Sequence, residues 1–137
     1  IDLGGQEFGP WYGFQELSLL DVKADVDKAE HLHEKLNIPM ISSHGSLYPT
    51  YSPEPYEYIR NCLAQRENKI IGAMKSLGGH ATVAELMPFN IFYPKHKIKG
   101  NLQKLVTYWE EGFLANHLKE MVRIGIVTQI GDCFSLL

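Results

Sequence analysis

Apolar residues recur at helical spacing along three stretches of the chain. Between Asp21 and Asn37, Val22, Val26, Ala29, Leu32 or His33, and Leu36 follow i, i+4, i+7 intervals. That spacing predicts an amphipathic helix with Asp21 or Asp25 as its N-cap. A second stripe, Ile59, Leu63, Ile70, Met74 and Leu77, predicts a helix from Glu54 or Tyr56 to Leu77, closed by Gly78-Gly79. A third, Leu102, Leu105, Val106, Trp109, Phe113, Leu118, Met121 and Val122, predicts the buried face of a long helix that starts after Gly100-Asn101 and ends at Gly125. Shorter signals lie between these. Ile38-Pro39-Met40-Ile41 is a continuous apolar run and reads as a strand with no wet face. Thr82, with Glu85 three positions on, is a capping box for a helix from Val83 to Met87, which Pro88-Phe89-Asn90 breaks. Ile126-Val127-Thr128-Gln129 and Cys133-Phe134-Ser135-Leu136 flank a turn at Ile130-Gly131-Asp132 and predict a hairpin. The opening stretch, Ile1 to Gly13, mixes glycines, a proline and three aromatics and reads as a shaped loop.

The order of these elements predicts a fold of the α+β class. Helix followed by strand in the first part is half of an α/β unit. Helix, short helix, longer helix and hairpin in the second part is the order of a winged helix, a variant of helix-turn-helix. Charge divides the chain in the same place. Residues 1–55 carry three Lys against nine Asp and Glu, a net −6, whereas residues 56–137 carry ten Lys and Arg against seven acids, a net +3. With the proline-rich stretch Pro49 to Pro55 between them, this predicts two structural units, residues 1–52 and 53–137.

Composition excludes little else. At 45% hydrophobic and 21% charged, the 137 residues are ordinary for a globular protein, and no apolar run approaches the roughly 18 residues of a membrane span. Two isolated cysteines, Cys62 and Cys133, form no CxxC pair and point to a reducing, cytoplasmic setting with each thiol in the core.

Among candidate chemical groups, His44 leads. The apolar run delivers it into the loop Ser42-Ser43-His44-Gly45-Ser46, and a histidine on a loop at the end of a strand is where metal ligands and catalytic bases sit. The alternative is a loop histidine that hydrogen-bonds its neighbours. A zinc site needs three or four ligands, and no second histidine in this part occupies a comparable loop. His31 and His33 form an HxH string, but on a helix they point about 200° apart and cannot share an ion; a solvated helix surface is expected for both. Gly9-Pro10-Trp11-Tyr12-Gly13 is either an aromatic rim beside a pocket or a rigid loop packed at the edge of the fold. Lys95-His96-Lys97-Ile98-Lys99 lies where winged helices touch phosphates, yet Glu110 and Glu111 make the following helix acidic and a domain of +3 is weakly basic, so nucleic acid is not the expected partner. No GxSxG, Walker or GxGxxG motif is present.

Taken in order, these motifs resemble the last part of a metallo-β-lactamase-fold hydrolase of the glyoxalase II-like and lactamase-β2-like branch. The resemblance is carried by Ile1-Asp2-Leu3, Phe8-Gly9-Pro10-Trp11-Tyr12-Gly13, the acidic helix, the strand and Ser42-Ser43-His44-Gly45. It continues through Arg66-Glu67-Asn68-Lys69-Ile70, Thr82-Val83-Ala84-Glu85-Leu86, His117-Leu118 and Gly125-Ile126-Val127, which match the winged-helix-like C-terminal domain of such enzymes. The resemblance implies part of an αββα sandwich, then that domain with its C-terminal hairpin. It implies that His44 is a ligand in a two-zinc site whose HxHxDH motif, middle histidine and bridging aspartate are absent from these residues, Asp2 being a weaker claimant to the last role. It implies hydrolysis of an ester, thioester or amide of a small-molecule substrate by a metal-held hydroxide, and inactivity of this chain alone. The partner it implies is the missing N-terminal part of the same protein, without which an apolar face of residues 1–46 would favour homo-oligomers. From a different class, the alternative is a non-enzymatic winged-helix module that binds a partner protein or nucleic acid.

Overall fold

The computed structural model describes residues 9–14, 17–41, 47–93, 100 and 102–137. Within them the chain is α+β: helix α1 (Leu19–Leu36), strands β1 (Met40–Ile41) and β2 (Leu47–Tyr48), helix α2 (Glu54–Ser76), strand β3 (His80–Thr82), helix α3 (Val83–Leu86), a 3-10 turn (Met87–Phe89), helix α4 (Leu102–Arg123), and strands β4 (Val127–Ile130) and β5 (Cys133–Leu136). The described residues fall into two compact units. One takes in residues 9–11, 20–41 and 47–64; the other takes in 12–14, 17–19, 65–93, 100 and 102–137.

Local chemistry sets the helix ends. Asn37 stands at φ 47° and its N–H donates to the His33 carbonyl at 2.8 Å, so α1 stops in a left-handed residue that asparagine tolerates. The end of α2 is a Schellman motif: Gly79 N–H reaches the Met74 carbonyl at 2.9 Å, Gly78 N–H reaches Lys75 at 3.1 Å, and Gly78 has φ 86°. The same pair of bonds closes α4, from Ile126 to Met121 at 2.9 Å and from Gly125 to Val122 at 3.1 Å, with Gly125 at φ 75°. The capping box is formed in full. Glu85 N–H donates to Thr82 Oγ1 at 3.2 Å, and Thr82 N–H donates back to Glu85 Oε2 at 2.8 Å.

In the first unit, Val26, Ile59 and Leu63 are buried as their stripes require, and Tyr56 is buried with them. The strand differs from the expectation. It is two residues long, pairs antiparallel with β2 through Met40↔Tyr48 and Ile41↔Leu47, and leaves Ile38 and Ile41 52% and 75% exposed. Pro39 has no N–H to give a ladder and the left-handed Asn37 precedes it, so regular pairing begins only at Met40. Leu32 and Leu36 are exposed as well, and the buried position at that turn of α1 is His33.

The second unit is a three-stranded antiparallel sheet in the order β3-β5-β4, with the end of α2, α3 and α4. The predicted hairpin is present, shifted by one residue on its first strand, and Val127 faces Leu136 while Ile130 faces Cys133. Strand β3 was not legible as a strand, because His-Ala-Thr is too short to show alternation. It is held by β5 in the register His80↔Ser135, Ala81↔Phe134 and Thr82↔Cys133. Ile70, Met74, Ala81, Leu86, Phe113, Leu114, Leu118, Met121, Val127 and Phe134 form the core. Along α4 the buried run extends from Glu110 to Met121. Leu102 and Leu105, expected in the core, are 58% and 43% exposed and lie N-terminal to that run. Both cysteines are half-buried free thiols.

Thr82 joins strand to helix and closes the capping box, so Thr82→Ala should lower stability by about 1 kcal/mol. Urea unfolding should show a lower midpoint with an unchanged slope.

Candidate functional site

His44, the expected metal ligand, lies outside the described residues, as does the basic cluster at 95–99. What is described is the frame of the histidine segment. Ile41 and Leu47, the described residues on either side of it, are ladder partners. No group of three or more His, Cys, Asp or Glu side chains among the described residues is placed to hold a metal ion.

The first unit carries a polar cluster near this frame in sequence. His33 is 5% exposed, its Nδ1 lies 3.0 Å from Tyr56 Oη, and the Tyr56 hydroxyl also meets Met40 Sδ at 3.1 Å. Tyr51 sets its ring edge-on to the imidazole at 5.4 Å and donates its backbone N–H to Asn37 Oδ1. Arg60 spans Asp27 and Glu30. Desolvation, then the charge of Glu30, raises the Tyr56 and Tyr51 hydroxyls above their ordinary values. Of the HxH string only His31 is on the solvated surface. His33 is a core residue, since position 33 rather than 32 falls on the inner stripe of α1.

A larger constellation fills the second unit. Glu110, Phe113 and His117 recur at i, i+3 and i+7 on one face of α4, and Arg66 and Glu67 come from α2. Tyr12, from the loop before α1, enters between them. Its hydroxyl oxygen accepts from Arg66 Nη1 at 2.7 Å and lies 2.7 Å from His117 Nε2. Arg66 can only donate, so the phenol oxygen is its acceptor, and on the far side of the imidazole His117 Nδ1 lies 3.9 Å from Glu67 Oε1. The guanidinium carbon sits 5.1 Å from the Tyr12 and Phe113 ring centroids and 5.3 Å from that of Phe92, so a buried cation is lined by aromatic faces. Tyr12 meets Phe113 edge to face, and Phe92 stacks on Phe113. Asn116 Nδ2 donates to the carbonyls of Tyr12 and Phe14 at 3.1 and 2.8 Å and fixes the backbone of the loop. A Cβ on Gly13 would meet Phe113 Cε2 at 3.1 Å and Trp109 Cβ at 3.2 Å, which explains the absence of a side chain there. Of the two readings of this loop, the packed one fits Tyr12 and Gly13.

Glu110 is 3% exposed. Its carboxyl accepts the N–H of Phe92 at 3.2 Å and that of Tyr93 at 3.0 Å. Burial pushes this carboxyl above its ordinary value, against the opposing pull of the backbone N–H groups and the Arg66 charge. It also lines a cavity of about 220 Å³ with Met87, Pro88, Asn90, Tyr93, Gln103, Val106 and Thr107. Of the two acids that make this helix acidic in the sequence, Glu110 is buried and Glu111 is exposed. The sign in the sequence was its spacing: 106, 110, 113 and 117 share one helix face, so Glu110 and His117 are polar residues at core positions. Tyr12 and His117, at 1% and 0% exposure, brace the unit and do not face solvent.

No family model, curated protein or solved structure matches this chain. The functional reading therefore rests on the residues themselves.

Tyr12→Phe keeps the ring and removes the shared hydroxyl, so chemical denaturation should show a loss of about 1–3 kcal/mol. Glu110 gives a pH signature of the opposite sign to most carboxylates. Its folded value lies above 4.5, so its contribution to stability is present below 4.5 and is lost as pH rises through the folded value. The Tm of wild type relative to Glu110→Gln should accordingly fall as pH increases through that window, and a difference independent of pH would contradict the assignment.

Proposed function

We propose that this chain is the C-terminal part of a metal-dependent hydrolase of metallo-β-lactamase-like fold. It contributes His44 as one ligand of a two-zinc site and continues, from residue 53, into a winged-helix-like module. The observation that carries this reading is the order of the motifs. An aromatic glycine-proline loop, an acidic helix, a short strand and a Ser-Ser-His-Gly segment are followed by a long helix, a capped short helix, a second long helix and a terminal hairpin. Two structural details fit it. The Ile41↔Leu47 pair brackets the histidine segment, giving its ends a fixed frame from which a loop ligand can be presented. The sheet order β3-β5-β4, with α3 and α4 between β3 and β4, supports the reading of residues 53–137 as a winged-helix-like module. The exposed Leu32, Leu36, Ile38, Ile41 and Leu47 are consistent with a further layer over this part of the first unit, supplied by the preceding part of the same protein or by self-association.

The metal pair would supply an activated water for attack on an ester, thioester or amide carbonyl of a small molecule. This chain's part is to present one imidazole and to anchor the segment that carries it. The half-buried free thiols accord with a reducing, cytoplasmic setting. A second reading, a non-enzymatic module that binds a partner protein, is favoured by the exposed Leu102, Leu105 and Tyr108 at the start of α4.

His44→Ala, made in the protein together with any sequence encoded upstream, should lose bound zinc and hydrolysis of a thioester probe. Zinc content equal to wild type ends the ligand assignment. Residues 1–137 alone should show no turnover, and zinc-dependent hydrolysis by them would contradict the division of the site.

A further inference from the structure

We propose that the cavity between the 3-10 turn and the first half of α4 is a binding site for a primary ammonium group on a short apolar stem, with Glu110 as its counter-charge. The site is independent of the hydrolase reading. Four α4 residues, Gln103, Val106, Thr107 and Glu110, form one wall at i, i+3, i+4 and i+7, and Met87, Pro88, Asn90 and Tyr93 form the other. The cavity measures about 220 Å³. A cavity of about 150 Å³ accommodates benzene, so this one suits a compact aliphatic chain with its headgroup.

The chemistry of the walls selects the headgroup. Met87, Pro88 and Val106 offer apolar contact for a stem, Tyr93 offers an aromatic ring, and Asn90, Gln103 and Thr107 are neutral hydrogen-bonding groups. Glu110 is the one carboxyl among the described lining residues, and no lysine or arginine is among them. An anion would meet the carboxyl, and no lysine or arginine among the described lining residues would receive it. A neutral ligand would leave the carboxyl as it is, desolvated and held by backbone N–H groups and the charge of Arg66. An ammonium adds both an opposite charge and donors for the lone pairs that remain, in a setting where water screens little. The same chemistry is offered by a free alkylamine and by a lysine side chain of another protein.

The test uses three isosteres, hexylammonium, hexanol and hexanoate, titrated into the whole chain while the backbone amides are followed by NMR. Hexylammonium should shift the amides of Tyr93, Val106, Thr107 and Glu110 saturably, at least about tenfold tighter than hexanol, and hexanoate should not bind. Glu110→Gln should weaken hexylammonium about tenfold or more while leaving hexanol unchanged. Val106→Phe fills the cavity without touching the carboxyl and should abolish binding of both, which keeps the test decisive if Glu110→Gln does not fold. Nα-acetyl-lysine methylamide distinguishes the sources: binding equal to hexylammonium supports a lysine side chain as occupant, and binding of the free amine alone supports a small molecule. Equal affinity for all three isosteres, or no saturable shift from hexylammonium, overturns the proposal.

Discussion

The second unit depends on the phenol of Tyr12. Arg66 is a guanidinium at 7% exposure, and a buried cation is costly unless its donors and charge are met. Tyr12 meets one donor directly, at 2.7 Å, and its ring, with Phe92 and Phe113, presents aromatic faces to the charge. The same hydroxyl carries the hydrogen bond on to His117, so one atom joins α2, α4 and the loop. Gly13 and Asn116 serve that insertion, the first by leaving room and the second by holding two loop carbonyls. A segment distant in sequence is thereby part of the unit's core, and the unit is discontinuous along the chain as a result.

That discontinuity bears on the candidate sites. The loop is tied down by buried hydrogen bonds, the one from Arg66 charge-assisted, in a region of low dielectric where such bonds are strong and specific in geometry. Glu110 belongs to the same α4 face and is one of the residues that line the cavity, its carboxyl held by the N–H groups of Phe92 and Tyr93. In the first unit the two-residue ladder β1–β2 has a comparable part, setting the ends of the histidine segment with few contacts of its own.

Much of the helical framework was legible in the sequence, because its signals are local. The 3.6-residue stripe found α2 through Ile59, Leu63, Ile70 and Met74, the Thr82/Glu85 pair found α3, and the glycines after α2 and α4 marked both Schellman ends. What was missed depends on distant partners. Strand β3 exists because β5 pairs with it, and Leu102 and Leu105 are exposed although they continue the apolar stripe of α4, whose fully buried residues begin at Glu110. His33 displaced Leu32 from the inner stripe, which a hydropathy pattern cannot rank when a histidine finds a buried hydroxyl partner. The Tyr12 constellation joins residues 54 and 105 positions apart, a separation no local pattern spans. Its only trace was polar residues at core spacing on α4.

The central claim, that Tyr12 anchors the second unit, is tested most directly by native-state hydrogen exchange on the whole chain, wild type against Tyr12→Ala. If the claim holds, amides of α4 from Glu110 to Met121 and of β3, β4 and β5 lose protection together by a similar factor. Loss confined to residues 12–14, with α4 and the sheet protected as in wild type, would contradict it.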